Sequence, residues 1–141
     1  MVAAFIDANV FVYAFLKTKR KLQPSEENIK DAAKKIITRI SGGETVFTSV
    51  VHFSEVCNIL EDFMPIKEAI ELEMNLLFQE NIGIKEVSGE DYLKALIIAE
   101  DQEIGANDAL AYVLMKETQI NRIYSFDKDY DRFKDIERIT E

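Results

Sequence analysis

The 141-residue chain carries 26 Asp and Glu against 17 Lys and Arg, a formal net charge of −9, which argues against charge-driven, non-specific binding to nucleic acid or anionic membranes. Its length suits one domain, and 48% hydrophobic residues with only five glycines and two prolines exclude a disordered or fibrous chain. No run approaches the roughly 18 apolar residues of a membrane span. The N-terminal apolar stretch is broken by Asp7 and has its basic cluster behind it, unlike a signal peptide. The single cysteine, Cys57, has no intrachain partner and reads as a small core residue, so a reducing cytoplasmic setting is expected.

The predicted elements alternate. Val2 to Ile6 reads as a buried strand ending at Asp7, and Asn9 to Leu16 as a short helix capped by Asn9. Ser25, after Pro24 and before Glu26 and Glu27, opens a second helix whose Ile29, Ala32, Ala33, Ile36, Ile37 and Ile40 follow the helical period until Gly42 and Gly43 stop it. Thr45 to Thr48 is a second strand. Ser49 then caps a helix with Phe53, Val56, Cys57 and Leu60 on one face. Pro65 starts a helix to about Gln79 that carries Ile66, Ala69, Ile70, Met74 and Leu77, with Leu72 and Leu76 widening the apolar surface enough for a second partner. Ile82 to Val87 is a third strand, and Ser88 with Asp91 forms a capping box for a helix through Tyr92, Leu96, Ile97 and Ala99. Gly105 breaks that helix, Asn107 and Asp108 open another through Leu110, Val113 and Leu114, and Arg122 to Ser125 is a short strand. No repeat or linker divides the chain, so residues 1–141 read as one unit. Strands alternating with helices imply a doubly wound α/β domain with parallel pairing and helices on both faces.

Ligands of such sheets gather at the carboxyl ends of the strands, where Asp7 and Asp127 fall. Each is equally explained as a cap or turn residue, and Asp108 alone reads as a helix cap. Glu55 stands beside the buried face of Phe53, Val56 and Leu60, where an unpaired carboxylate is costly; it either snorkels to solvent, pairs with a lysine or meets a cation. A set of carboxylates without nearby His or Cys ligands favours Mg²⁺ or Mn²⁺ over Zn²⁺. The lone histidine, His52, reads as structural or solvated. Asp127, Asp129 and Asp131 do not make an EF-hand, because Arg132 replaces the loop glycine and Arg138 the bidentate glutamate. The haloacid dehalogenase pattern fails at Asn9, where a second aspartate is needed.

Four stretches resemble the PIN-domain nucleases, and together the VapC-type toxin ribonucleases. These are Phe5-Ile6-Asp7-Ala8-Asn9-Val10; Thr48-Ser49 with Phe53-Ser54-Glu55-Val56; Gly105-Ala106-Asn107-Asp108-Ala109-Leu110-Ala111; and Tyr124-Ser125-Phe126-Asp127-Lys128-Asp129-Tyr130. The resemblance runs nearly the whole chain, in order. It implies a Rossmann-like three-layer α/β/α fold with a mainly parallel sheet and a metal-dependent endoribonuclease whose acidic cluster falls on Asp7, Glu55, Asp108 and Asp127. Its polar supports fall on Asn9 and Ser125, and Asp129 is an extra ligand or water-positioner. The resemblance also implies a VapB-type antitoxin whose tail fills the acidic groove.

One or two Mg²⁺ or Mn²⁺ ions held by these carboxylates would activate a water toward an RNA phosphodiester without any side-chain nucleophile, in agreement with a chain offering no Ser-His-Asp or Cys-His set. The run Lys17, Lys19, Arg20 and Lys21 is either an RNA phosphate contact or a solvated loop. The wide apolar surface of the helix after Pro65 predicts a homodimer. The alternatives are a housekeeping nuclease processing ribosomal or transfer RNA, and a degenerate PIN module that binds protein without catalysis.

Overall fold

The computed structural model describes residues 3–17 and 20–141. Val2, the predicted start of the first strand, and Lys19 of the basic run lie outside the described residues. The elements run β1 (Ala4–Ile6), α1 (Ala8–Phe15), α2 (Pro24–Ser41), β2 (Val46–Ser49), α3 (Val50–Phe63), α4 (Ile66–Leu77), β3 (Ile82–Lys85), α5 (Gly89–Gln102), α6 (Ala106–Glu117), β4 (Arg122–Tyr124), a 3₁₀ turn (Lys128–Arg132) and β5 (Glu137–Ile139). The strands form one sheet in the order β3-β2-β1-β4-β5, and every neighbouring pair is parallel. This is the three-layer α/β arrangement expected from the alternation.

Side chains of the short inner strands alternate between two cores, as the strand period of two requires. Ala4, Ile6, Val46 and Tyr124 point to one side, with Val10, Phe11, Ala33, Ile36, Ile40, Val56, Leu60 and Leu76 of α1 to α4. Phe5 and Ile123 point to the other, with Ala95, Ala99, Leu110, Leu114 and Met115 of α5 and α6. Gly83 is required where β3 meets β2: a Cβ there would lie 2.4 Å from the ring of Phe47, its register partner. Gly42 closes α2, and Gly43 takes φ +115°, a conformation that favours glycine.

Several local expectations are corrected. Asp7, not Asn9, caps α1, its carboxylate accepting from the Ala8 N–H, because the chain turns from strand to helix one residue earlier. Gln23 precedes α2, and its N–H donates to the Glu26 carboxylate, so Ser25 falls inside the helix. Gly105 stands at the cap of α6, and Asp108 lies in the first turn without capping it. On α4 the buried positions are Ala69, Glu73 and Leu76, while Ile66, Ile70, Met74 and Leu77 are exposed. Apolar residues cover most of that helix, so periodicity alone does not choose the seam; the small Ala69 allows close approach and sits there. Cys57 is only half-buried, on the flank of α3. Strand β5 has no apolar signal in its Glu-Arg-Ile sequence, and backbone pairing at the sheet edge creates it.

Candidate active site

The strand order reverses at β1, since β2 and β3 extend the sheet on one side and β4 and β5 on the other. The crevice between the carboxyl ends of β1 and β4 is therefore the switch point where α/β sheets hold ligands. The Asp7 N–H donates to the Tyr124 carbonyl at 3.0 Å, which fixes the end of β1 against β4. A cleft of about 320 Å³ opens there, lined by Asp7, Asn9, Tyr13, Glu55, Asp108 and Asp127 among others. Four separate elements bring the four acidic residues to it: the end of β1, the middle of α3, the first turn of α6 and the loop after β4. A larger groove of about 580 Å³, between α2 and the C-terminal strand, has a mixed lining of Asp31, Lys35, Lys128 and Arg138 and gathers no comparable set of carboxylates.

Asp7 is buried, and each of its oxygens is held. Oδ1 accepts from the Ala8 N–H and Oδ2 from the Ser125 hydroxyl, both at 2.8 Å. Burial still pushes its pKa up to about 6, against the lowering effect of those donors, and the Asp127 charge raises it further. Ser125 is fully buried, and its Oγ also accepts from the Asp127 N–H at 3.0 Å and from Asn9 Nδ2 at 3.3 Å. Asn9 Oδ1 in turn accepts from the Phe126 N–H at 3.4 Å. One hydroxyl thus ties the two strand ends together.

Asp127 Oδ1 accepts from the Asp129 N–H at 2.9 Å and caps the 3₁₀ turn. The cap reading of Asp7 and Asp127 is structurally true, yet it leaves both carboxylates facing the cleft. Carboxylate oxygens of Asp108, Asp127 and Asp129 lie within 4.8 Å of one another. Burial, followed by the charges of Asp127 and Asp7, pushes Asp108 up to about 7. Burial first and neighbouring carboxylates second disfavour the charged forms, and the all-oxygen donor set fits a hard divalent cation.

Three supporting residues carried no assigned role in the sequence reading. Tyr130 is buried, and its hydroxyl donates to Asp108 Oδ1 at 3.3 Å. Asn107 Nδ2 donates to Glu55 Oε1 at 3.0 Å, while Tyr92 OH donates to Asn107 Oδ1. Burial and the Asp7 charge raise the pKa of Glu55; the Asn107 amide opposes them. His52 is buried and structural: its Nε2 lies 2.8 Å from the Asn107 carbonyl and its Nδ1 2.6 Å from Ser49 Oγ. A carbonyl only accepts, so Nε2 carries the proton and Ser49 donates to Nδ1. Asn107 lies in the stretch from Gly105 to Ala111, but only the tertiary fold sets its side chain between Tyr92 and Glu55.

The described members of the basic run, Lys17, Arg20 and Lys21, are not among the residues that line this cleft. Lys17 and Lys21 are exposed, and Lys17 borders a separate groove with Phe63, Pro65 and Leu72. Arg20 engages the Glu26 carboxylate through both terminal nitrogens, at 3.0 and 2.5 Å.

The family model for the PIN domain matches residues 4–136. Among solved structures, the chain is similar to VapC20 of Mycobacterium tuberculosis, a toxin that cleaves the sarcin-ricin loop, with a TM-score of 0.72 and 17% identity over 96% of this chain and 98% of that one. It is similar to VapBC2 of Rickettsia felis, solved bound to a promoter DNA fragment, with a TM-score of 0.65 and 14% identity over 98% of each chain. VapBC-1 of nontypeable Haemophilus influenzae gives a TM-score of 0.65 and 16% identity over 99% of this chain and 97% of that one. A search of curated proteins finds no match. Identities this low carry the fold alone, but the family match runs from β1 through β4 and stops just before β5, and on it the chain belongs to the PIN-domain family.

Proposed function

We infer that the chain is a divalent-metal-dependent endoribonuclease, the toxin of a VapBC-type pair. One observation carries the reading: Asp7, Glu55, Asp108 and Asp127 converge from four elements on one cleft whose lining includes no histidine or cysteine. These four residues, with Asp129 beside Asp108 and Asp127, would hold Mg²⁺ or Mn²⁺. When bound, such an ion supplies a more acidic water and neutralises charge on the phosphodiester and its departing oxygen.

The chain's own residues prepare that site. Ser125 and the Ala8 N–H hold the Asp7 carboxylate in one orientation, Asn107 holds Glu55, and the Tyr130 hydroxyl steadies Asp108. Burial raises the pKa of Asp7 to about 6 and that of Asp108 to about 7, so both carboxylates would give up protons to hold a cation. Lys17, Lys21 and the neighbouring Lys19 and Arg20 are proposed as outer contacts for RNA phosphates.

The likeness to VapBC structures and to a Klebsiella pneumoniae toxin–antitoxin complex supports an antitoxin partner. The exposed Phe63, Ile66, Ile70, Met74, Leu77 and Phe78 around α4 support a homodimer. No described helix is long and apolar enough to cross a membrane.

The test is Asp7→Asn, which keeps size and removes charge. With the fold verified by circular dichroism, cleavage of a structured RNA in Mg²⁺ or Mn²⁺ should fall by about 10² or more. Cleavage at the parent rate would overturn the assignment of this site.

A further inference from the structure

A second group of ligating side chains sits on α3 and α4, away from the cleft. Cys57 and Glu61 are four residues apart on α3 and so share one face of that helix. Glu73 reaches toward them from the buried side of α4. The Cys57 sulfur and one carboxylate oxygen from each glutamate all lie within 4.8 Å of one another.

Glu73 makes this more than an acidic cluster. It is only 7% exposed, and its Oε2 is fully buried with no hydrogen-bond partner. An orphaned carboxylate oxygen carries its whole desolvation cost. Among the described residues no lysine or arginine forms an ion pair with Glu61 or Glu73. Burial raises the pKa of Glu73, the Cys57 thiol acts against that rise, and sharing with Glu61 adds to it. Burial pushes Cys57 up to about 12, and Glu73 and Glu61 add to the rise. Cys57 and Glu73 thus lack a compensating positive charge on one side of a helix pair.

We propose that Cys57, Glu61 and Glu73 form a second cation site, which takes a borderline-soft divalent ion of the zinc class and clasps α3 to α4. A thiolate beside two carboxylates selects such an ion over Mg²⁺, whose preferred ligands are all oxygen. Bonds of about 2.3 Å to sulfur and 2.0 Å to oxygen place tetrahedral ligands roughly 3.3–3.6 Å apart, so closing the cluster takes side-chain movement of order an ångström. Water would complete the coordination as the fourth ligand. Binding releases the Cys57 proton, together with any proton on Glu73, into solution. The clasp holds the inner side of the helix pair whose outer side carries Ile66, Ile70 and Met74.

The metal-stripped full chain, kept reduced with a phosphine, tests this by titration with Cd²⁺. A thiolate-to-cadmium charge-transfer absorption should saturate at one equivalent per chain, and Zn²⁺ should displace it. One equivalent of Zn²⁺ should slow alkylation of Cys57 at least tenfold. Cys57→Ser should abolish the absorption, and Glu61→Gln and Glu73→Gln should each weaken Cd²⁺ binding tenfold or more. Asp7→Asn should leave Cd²⁺ binding at this site unchanged, which separates it from the cleft. Absence of the band and of protection in the parent would show a proton-sharing carboxyl pair only and would overturn the proposal. So would parent affinity in folded Glu73→Gln, which would mean the thiol binds alone. The parent's alkylation rate decides the question even where a variant fails to fold.

Discussion

Asp7 and Glu73 are the two acidic side chains buried among the described residues, at 6% and 7% exposure, and their surroundings differ. Asp7 has a donor on each oxygen, supplied by the Ala8 backbone and the Ser125 hydroxyl. Glu73 has a buried oxygen without a hydrogen-bond partner. Both are held above the ordinary carboxylate range because burial outweighs the groups that favour their charge. The contrast teaches that burial alone does not define a site. At the cleft, donors orient a carboxylate toward other carboxylates; between α3 and α4, an undonated oxygen leaves a demand that a cation would satisfy.

The largest expected effect would break the cleft side of this comparison. Asp108→Asn should lower RNA cleavage by about 10² or more in single-turnover assays with Mn²⁺, and an unchanged rate would reduce Asp108 to a first-turn helix residue. Ser125→Ala comes next, because it leaves Asp7 Oδ2, the Asp127 N–H and the Asn9 amide short of a partner. Its affinity for Mn²⁺, read from activity titrations, should fall about 10- to 100-fold, with a stability loss of about 1–3 kcal/mol by urea unfolding.

The pH dependence sharpens the same contrast. In the metal-free fold Asp7 holds its proton up to a pKa of about 6, against 3.8 for an ordinary aspartate. Between those values the folded state binds more protons than the unfolded one, so this group's contribution falls as pH rises through the window and is flat above it. The stability of the parent minus that of Asp7→Asn should therefore drop by up to about 3 kcal/mol from pH 4 to pH 7 in chelator. Millimolar Mn²⁺ at pH 7 should reverse the drop, since the ion binds the folded parent. A flat difference across that range would show that the Asp7 carboxylate is not strained by its burial.

The smallest effect on stability is expected on the outer face of α4. Met74 is 53% exposed, so Met74→Lys should change the unfolding free energy by no more than about 0.5 kcal/mol. The same substitution should convert the proposed dimer to a monomer by light scattering. A parent that is already monomeric at micromolar concentration would remove that surface from the homodimer reading.

Much of the fold is legible in the sequence, because its signals are local. Ser49 caps α3 by accepting from the His52 N–H, and the Ser88–Asp91 capping box forms in both directions. Gly42 and Gly43 end α2 where a left-handed residue is needed. The apolar runs of β1, β2 and β4 are buried between two helical layers. Two elements were not legible. Strand β5 depends on pairing with β4, and the seam of α4 depends on which of two apolar stripes fits α3.

By itself the sequence determined the order of strands and helices from β1 to β4, the caps of α3 and α5 and the acidic residues that end or begin elements, since each rests on neighbours within about four positions. The reversal of strand order at β1 was decided in three dimensions, and it brings Asp7 to Ser125 and Asp127 across more than a hundred residues. The same level of structure set Asn107 beside Glu55, placed the Tyr130 hydroxyl on Asp108, and drew Glu73 toward Cys57. Hydrogen bonds and charge coupling at these distances depend on atomic separation in the packed core, and no periodicity along the chain encodes that separation.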